Sequence, residues 1–367
     1  MAIALTVRLG SFDTLPMAGT CRGDSERSAL AKELAHLAVG HPSNSIFREP
    51  RWTTPNCIAL ELPSMRLREF SADGDDIATL ICAPLALHDA TLTDFAPDHS
   101  LVAALRMAGL RNLFVTDWRS ASPEMRLFSI DSYLADLNVV IDDLGGRANL
   151  IGVCQGGWMA LAYAARYPSK IRGLVLAGAP VDINAGESEL SRVAHSVPTS
   201  AFKQLVELGD GRVRGSHLLH LWKDPPLEPE AIHGLLQVPD DIATPRSLRL
   251  IALFREWYAR PIDLPGTYYL QVVQWLYKDN QLATGSFVAL GRSIDLSMVR
   301  GPIFLLAARD DEIVAPEQLL AARRLVGSKE CQIRTEVVDG THLGLFMGAT
   351  TLRHTWSKIA RWLAAAS

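Results

Sequence analysis

One short stretch constrains this chain more than any other. Asn149–Val153 (NLIGV) is an apolar run of strand length, and it leads into Gly152-Val153-Cys154-Gln155-Gly156, ahead of the small-residue helical segment Trp158–Tyr167. A Gly-x-nucleophile-x-Gly pentad between strand and helix predicts a tight turn that lifts one side chain above the end of a sheet. The nucleophile of such a turn takes a strained backbone, so its close neighbours must be glycine; Gly152, Gly156 and Gly157 meet that need. A helix N-terminus beneath Cys154 favours a thiolate or an oxyanion, and the Gln155 N–H points at the same spot as an oxyanion donor. A cysteine met alone reads as an inert buried thiol. The turn around Cys154 argues for a nucleophile.

A nucleophilic cysteine needs a base, and the base needs an orienting acid. In folds with this turn the chain order is nucleophile, acid, histidine. Ala307–Val314 (AARDDEIV) follows an apolar strand and offers Asp311 as the acid, with Asp310 as the alternative. Gly340-Thr341-His342-Leu343-Gly344 follows the strand QIRTEVV, which puts His342 where the base is expected. The second oxyanion donor is expected in the loop after IATLICA, from the backbone of Ala86 or Leu87, with Leu87 preferred. His88 and Asp89 share that loop and read equally well as ordinary loop polarity or as site residues. Trp118 and Arg119 are candidates for a pocket mouth or for packing. Asp182 reads as a support to the site or a turn residue. Tyr268, Tyr269, Trp275 and Tyr277 have roughly helical spacing and read as packing within the 186–298 insertion more than as a substrate platform.

The rest of the chain supplies a frame for that constellation. Cys57–Phe70 reads as a strand–turn–strand hairpin, and Ile77–Ala83, Asn112–Thr116, Ile171–Ala177, Gly301–Ala307 and Gln332–Val338 as further strands. Helical patterns fall at Ser25–Val39, Ser100–Ala108, Ile130–Leu144, Pro316–Leu325 and Thr351–Ala365. Strands alternate with helices before residue 185 and after residue 300, which predicts an α/β architecture: a mostly parallel sheet with helices on both faces. Residues 186–298 break the alternation with helical patterns around Leu190–Leu208, Pro229–Leu236 and Arg246–Tyr258. They are expected to form a helical cap, inserted before the acid strand, over a water-poor pocket. The expected division is an N-terminal segment 1–50, core 51–185, cap 186–298 and core 299–367.

Composition removes several classes. Lysine plus arginine total 36 against 40 aspartate plus glutamate, a net charge of −4, which argues against a dedicated nucleic-acid binder. Five cysteines at wide spacings, with no CxxC pair, argue against a disulfide framework or structural zinc and favour a reducing compartment. No apolar run approaches 18 residues and no signal peptide is read, so the expectation is a cytoplasmic protein without a transmembrane segment.

On these residues the chain resembles intracellular polyhydroxybutyrate depolymerases and the related polyhydroxyalkanoate synthases, over roughly residues 50–365. LFVTDWRSA…FSIDSYLADLNVVIDDLGG…NLIGVCQGG is similar to the core shared by both. Val153-Cys154-Gln155, GAPVDINAGES, GTYYLQVVQWLYKDNQL and THLGLFMG resemble the depolymerase side, whereas Gly156-Gly157 and ARDDEIVAP are more like the synthases. The resemblance implies an α/β-hydrolase fold, with Cys154 as nucleophile, Asp311 as acid and His342 as base. It implies an ester hydrolase acting on a 3-hydroxybutyrate polymer or oligomer, possible contact with a storage-granule surface, and no metal or organic cofactor. The alternatives are a synthase-like acyltransferase using hydroxyacyl-coenzyme A, and a small-molecule esterase or thioesterase.

Overall fold

The computed structural model describes residues 51–72, 76–221 and 227–365. The helix expected at Ser25–Val39, with the whole 1–50 segment, lies outside the described residues.

Among the described residues, eight strands build one sheet. In chain order they are β1 (Cys57–Glu61), β2 (Met65–Glu69), β3 (Thr79–Cys82), β4 (Leu113–Trp118), β5 (Ala148–Val153), β6 (Ile171–Ala177), β7 (Ile303–Ala308) and β8 (Ile333–Val338). Their order across the sheet is β1-β2-β4-β3-β5-β6-β7-β8. The β1–β2 and β2–β4 pairs are antiparallel and the remaining five pairs are parallel. Every residue of β3, β4, β5 and β7 is buried. Continuous apolar runs such as NLIGV and IFLLAA are what a strand covered on both faces requires. The edge strand β1 is largely exposed.

The covering helices include α1 (Leu101–Met107), α2 (Ile130–Asp143) and α3 (Gln155–Arg166). In α2, Ser129 caps the first turn in a reciprocal box with Ser132. Its buried Ile130, Tyr133, Leu134, Leu137, Val140 and Ile141 repeat at helical spacing and face the sheet. Burying each such side chain stabilises the fold by roughly 1.5–3 kcal/mol. Helix α3 begins at Gln155, three residues earlier than its apolar pattern indicates, because the turn at Cys154 closes directly into it.

Residues 186–298 hold α4 (Glu189–Ser196), α5 (Thr199–Leu208), α6 (Pro229–Leu235), α7 (Pro245–Tyr258) and α8 (Gly266–Gln271), the last running into a π-helical turn at Val272–Lys278. The Pro316–Leu325 helix is divided at Ala321. The closing helix has a π turn at Leu352–Trp356 before α9 (Ser357–Ala365), and Trp362 packs edge-on to Phe304 of β7 at 5.5 Å between ring centroids. Among the described residues no helix is long and apolar enough to cross a membrane.

Candidate active site

Cys154 sits between the end of β5 and the first turn of α3, in the middle of the sheet. Its backbone has φ +51° and ψ −121°, a conformation a non-glycine residue rarely adopts. The strain is held by the surroundings. The Cys154 N–H donates to the Ala177 carbonyl at 2.9 Å, and its own carbonyl accepts from Gly157 at 2.9 Å. The following glycine is required by close approach: a Cβ on Gly156 would lie 2.0 Å from the Cys82 carbonyl oxygen.

The two residues chosen as partners meet in space. His342 Nδ1 and Asp311 Oδ2 are 2.7 Å apart, both side chains almost wholly buried. Asp311 is aimed by its other oxygen, which accepts from the backbone N–H groups of Ile313 (3.0 Å) and Val314 (2.8 Å). Phe346 holds the His342 ring edge-on at 5.4 Å. With Nδ1 taken by Asp311, Nε2 is buried and has no hydrogen-bond partner of good geometry, yet the ring lies close enough to Cys154 that each group favours the other's charged form. Slack geometry between nucleophile and base is usual before substrate arrives.

Burial by itself raises the Cys154 thiol. The neighbouring His342 charge and hydrogen bond, with the Gln155 backbone N–H, overcome that and bring it below the ordinary thiol range. Burial pushes His342 down, but the Asp311 and Cys154 charges outweigh it and lift the ring to about 10. The arrangement favours a thiolate–imidazolium pair.

Cys154 and His342 open onto one cavity together with His88. Its remaining wall is apolar: Pro84, Ala86, Leu92, Trp257, Leu343 and Phe346. The centre of a water-sized sphere can occupy about 10 Å³ of it, the space of about one water molecule.

The other sequence candidates fall as follows. The Asp310 N–H donates to the Gly340 carbonyl, and the imidazole is paired with Asp311. Ala86 lines the cavity; Leu87 does not, and its carbonyl accepts from the Ile262 N–H at 2.8 Å. Asp89 caps the turn Ala90–Thr93. Trp118 is buried and donates Nε1 to the Ala83 carbonyl at 2.8 Å, while Arg119 pairs with Glu61 outside the cavity. Asp182 accepts from Asn280 at 2.8 Å, joining the core to the 186–298 segment. Tyr268, Tyr269 and Tyr277 are fully buried, and Tyr277 receives a hydrogen bond from the Gln155 side chain, whose oxygen accepts from Trp158 Nε1 at 2.8 Å. Trp257, Leu343 and Phe346 were not singled out from sequence, because apolar wall residues carry no motif.

A mostly parallel sheet bearing this turn on a central strand, with acid and histidine after two later strands, is the α/β-hydrolase fold. The monoacylglycerol lipase of Paleococcus ferrophilus superposes with a TM-score of 0.55 at 18% identity, covering 83% of this chain and 99% of that one. A putative non-heme bromoperoxidase, BpoC of Mycobacterium tuberculosis H37Rv, does so with a TM-score of 0.52 at 14% identity, covering 84% and 98%. Residues 62–364 match the family described as "Protein of unknown function (DUF3141)", and the chain belongs to that family. It is also similar to the poly(3-hydroxyalkanoate) polymerase subunit PhaC of Allochromatium vinosum, 26% identical over 281 residues, covering 74% of this chain and 76% of the relative. The PhaC of Synechocystis sp. is 29% identical over 281 residues, covering 74% of each. The chain thus has an α/β-hydrolase fold and is similar in sequence to poly(3-hydroxyalkanoate) polymerase subunits.

Proposed function

We propose that this protein is an acyl-transfer enzyme in which Cys154 is the nucleophile, His342 the base and Asp311 the orienting acid, acting on hydroxyacyl esters or thioesters. The observation that carries this reading is the convergence of a strained central cysteine and a buried His–Asp pair on one apolar cavity. In the first half-reaction the Cys154 thiolate attacks the acyl carbonyl and the Gln155 N–H stabilises the oxyanion, with a second N–H from the Ala86–Leu87 loop. The bond to the leaving group breaks as His342 gives it a proton, and the acyl group remains as a thioester on Cys154. In the second half-reaction His342 takes the proton of an incoming hydroxyl, which attacks the thioester and frees the thiolate. Asp311 holds the imidazole tautomer throughout. Residues 186–298 act as a cap over core segments 51–185 and 299–367.

Transfer to a hydroxyl of another hydroxyacyl unit is the leading form. The relatives named above are polymerase subunits, which favours the synthase alternative over the depolymerase that the sequence resemblance implies. The small, apolar cavity supports it, since excluding water lengthens the life of an acyl-enzyme. Hydrolysis uses the same residues with water as acceptor.

The test is incubation of wild type and Cys154→Ala with 3-hydroxybutyryl-coenzyme A and, separately, with a hydroxybutyrate oligomer. Intact mass, free coenzyme A, free acid and polymer are followed. The expected result is a hydroxyacyl adduct on the wild type and coenzyme A release accompanied by chain growth. Free acid with no polymer would assign hydrolysis. Retention of more than about 1% of turnover in Cys154→Ala would refute the covalent route.

A further inference from the structure

Three polar side chains share the cavity. Cys154 and His342 have roles in the reaction proposed above; His88 has none. Its side chain is 3% exposed, and its ring is wedged against Trp257 and Tyr258 of α7 at centroid distances of 4.3 and 4.8 Å. Neither ring nitrogen has a hydrogen-bond partner of good geometry, the Arg260 backbone carbonyl being a poorly aligned acceptor for the ring N–H, which leaves the ring lone pair without a donor. Buried polar groups in folded proteins are paired in the great majority of cases, so an orphan at a reaction cavity calls for a ligand group to complete it.

The chemistry of that group follows from the ring. Burial pushes the His88 imidazole down to about 3, opposed by the poorly aligned hydrogen bond of the ring to the Arg260 backbone carbonyl, and the net shift favours the neutral ring near neutral pH. A neutral imidazole offers one N–H and one lone pair. A carboxylate or phosphate finds no free counter-charge there, since His342 is already paired with Asp311 and Cys154 and the remaining wall is apolar. A carbonyl satisfies the N–H but not the lone pair. A hydroxyl satisfies either. The loop that carries the ring is also held by its backbone. The backbone of His88 bridges to Pro261, and Leu87 accepts from Ile262, while Asp89 turns its carboxylate onto Thr91.

We propose that His88 is a specificity-determining residue that hydrogen-bonds a hydroxyl on the acyl group carried by Cys154, so that the site selects hydroxyacyl over unsubstituted acyl donors. This rests on the acylation of Cys154 proposed above.

The test compares wild type, His88→Phe and His88→Gln on the N-acetylcysteamine thioesters of 3-hydroxybutyrate and butyrate. Wild type favours the hydroxy compound in kcat/KM by about 10- to 100-fold. His88→Phe, which keeps an aromatic ring but no polar atom, brings the ratio to within about threefold of one by losing turnover of the hydroxy substrate. His88→Gln, with a donor and an acceptor, recovers part of the preference. A wild-type ratio near one, or a ratio unmoved in His88→Phe, overturns the proposal. A second arm needs neither turnover nor a change at position 88. Cys154→Ala protein carrying 15N-histidine is titrated with methyl 3-hydroxybutyrate and with methyl butyrate. The His88 ring nitrogens move with the hydroxy ester and stay with the other; equal movement, or none, overturns the proposal. Absence of Cys154-dependent turnover on both thioesters would sink the acylation reading, and the titration would still decide on His88.

Discussion

Asp311→Asn is the sharpest test of how the base is set. The Asp311 oxygen facing the Ile313 and Val314 N–H groups, at 3.0 and 2.8 Å, must be an acceptor. In the amide variant the carbonyl oxygen therefore takes that place, and the NH2 is turned onto His342 Nδ1, 2.7 Å away in the parent. A donor facing Nδ1 forces Nδ1 to accept and moves the ring proton to Nε2. The base then presents an N–H to Cys154 where it needs a lone pair. The thiolate–imidazolium pair also loses the buried carboxylate charge that favours it. The expected cost is about 10⁴-fold in kcat, or about 5 kcal/mol of transition-state stabilisation. Asp311→Ala imposes no wrong tautomer and should lose less than Asp311→Asn. Single-turnover acylation of Cys154 by a hydroxybutyryl thioester gives the rates, and 15N shifts of His342 report the tautomer. Asp311→Asn within about tenfold of wild type, or a His342 still protonated at Nδ1, would refute the reasoning.

Further outcomes follow from the same geometry. Cys154 lies below its ordinary value, so its thiolate, and with it alkylation by iodoacetamide, persists as pH falls and is lost only through that lowered value. His342→Ala should move this limb to higher pH. His342 lies above its ordinary value, so acylation that needs the imidazolium fails as pH rises through about 10. Gly156→Ala places a methyl 2.0 Å from the Cys82 carbonyl oxygen and 2.7 Å from that of Ala83. Both are backbone atoms of a central strand and its exit, so the variant should lose about 2 kcal/mol or more, read as a lower urea midpoint.

The parts of this molecule that the sequence announces are those with a covalent or periodic signature. Strands β3, β5, β6 and β7 stand out because a strand buried on both faces must be continuously apolar, as LIC, NLIGV, GLVLA and IFLLAA are. The Cys154 turn stands out because its strain leaves room only for glycine beside it. His342 and Asp311 are legible through chain order and through loops that follow strands. What is not legible is the wall of the cavity. Trp257 and Phe346 are apolar residues among many, and their positions depend on how α7 and the 344–347 turn settle on the core. His88 shows the limit most clearly. In sequence it reads as loop polarity or as a site residue with nothing to decide between them, and only packing against Trp257 and Tyr258 places its ring on the cavity beside Cys154.

The proposed cap, residues 186–298, is tied to the surroundings of Cys154 and His342 at separate points, and that determines which part of it can open. Behind the nucleophile, Tyr277 holds the Gln155 side chain. Behind the base, Leu236 accepts from the Ala349 N–H at 2.9 Å, and Gln237 accepts from the Thr351 N–H at 3.0 Å. Beside His88, Ile262 binds Leu87. Between these anchors lies 238–260, which carries Trp257 over the cavity. Among the described residues its ion pair with the core is the exposed Arg246–Asp98 pair, worth about 1 kcal/mol or less, and at its end the Arg260 backbone carbonyl faces the His88 ring. The rest of its hold is apolar, including Phe254 against Phe95. A cavity with room for about one water cannot take a hydroxyacyl chain, so something must move, and this span can do so without disturbing Gln155 or His342. Hydrogen exchange in α7 should therefore be markedly faster than in α3, and a hydroxyacyl adduct on Cys154 should change α7 more than α6 or α8. Equal protection of α7 and α3, unaltered by acylation, would mean that substrate enters by another route.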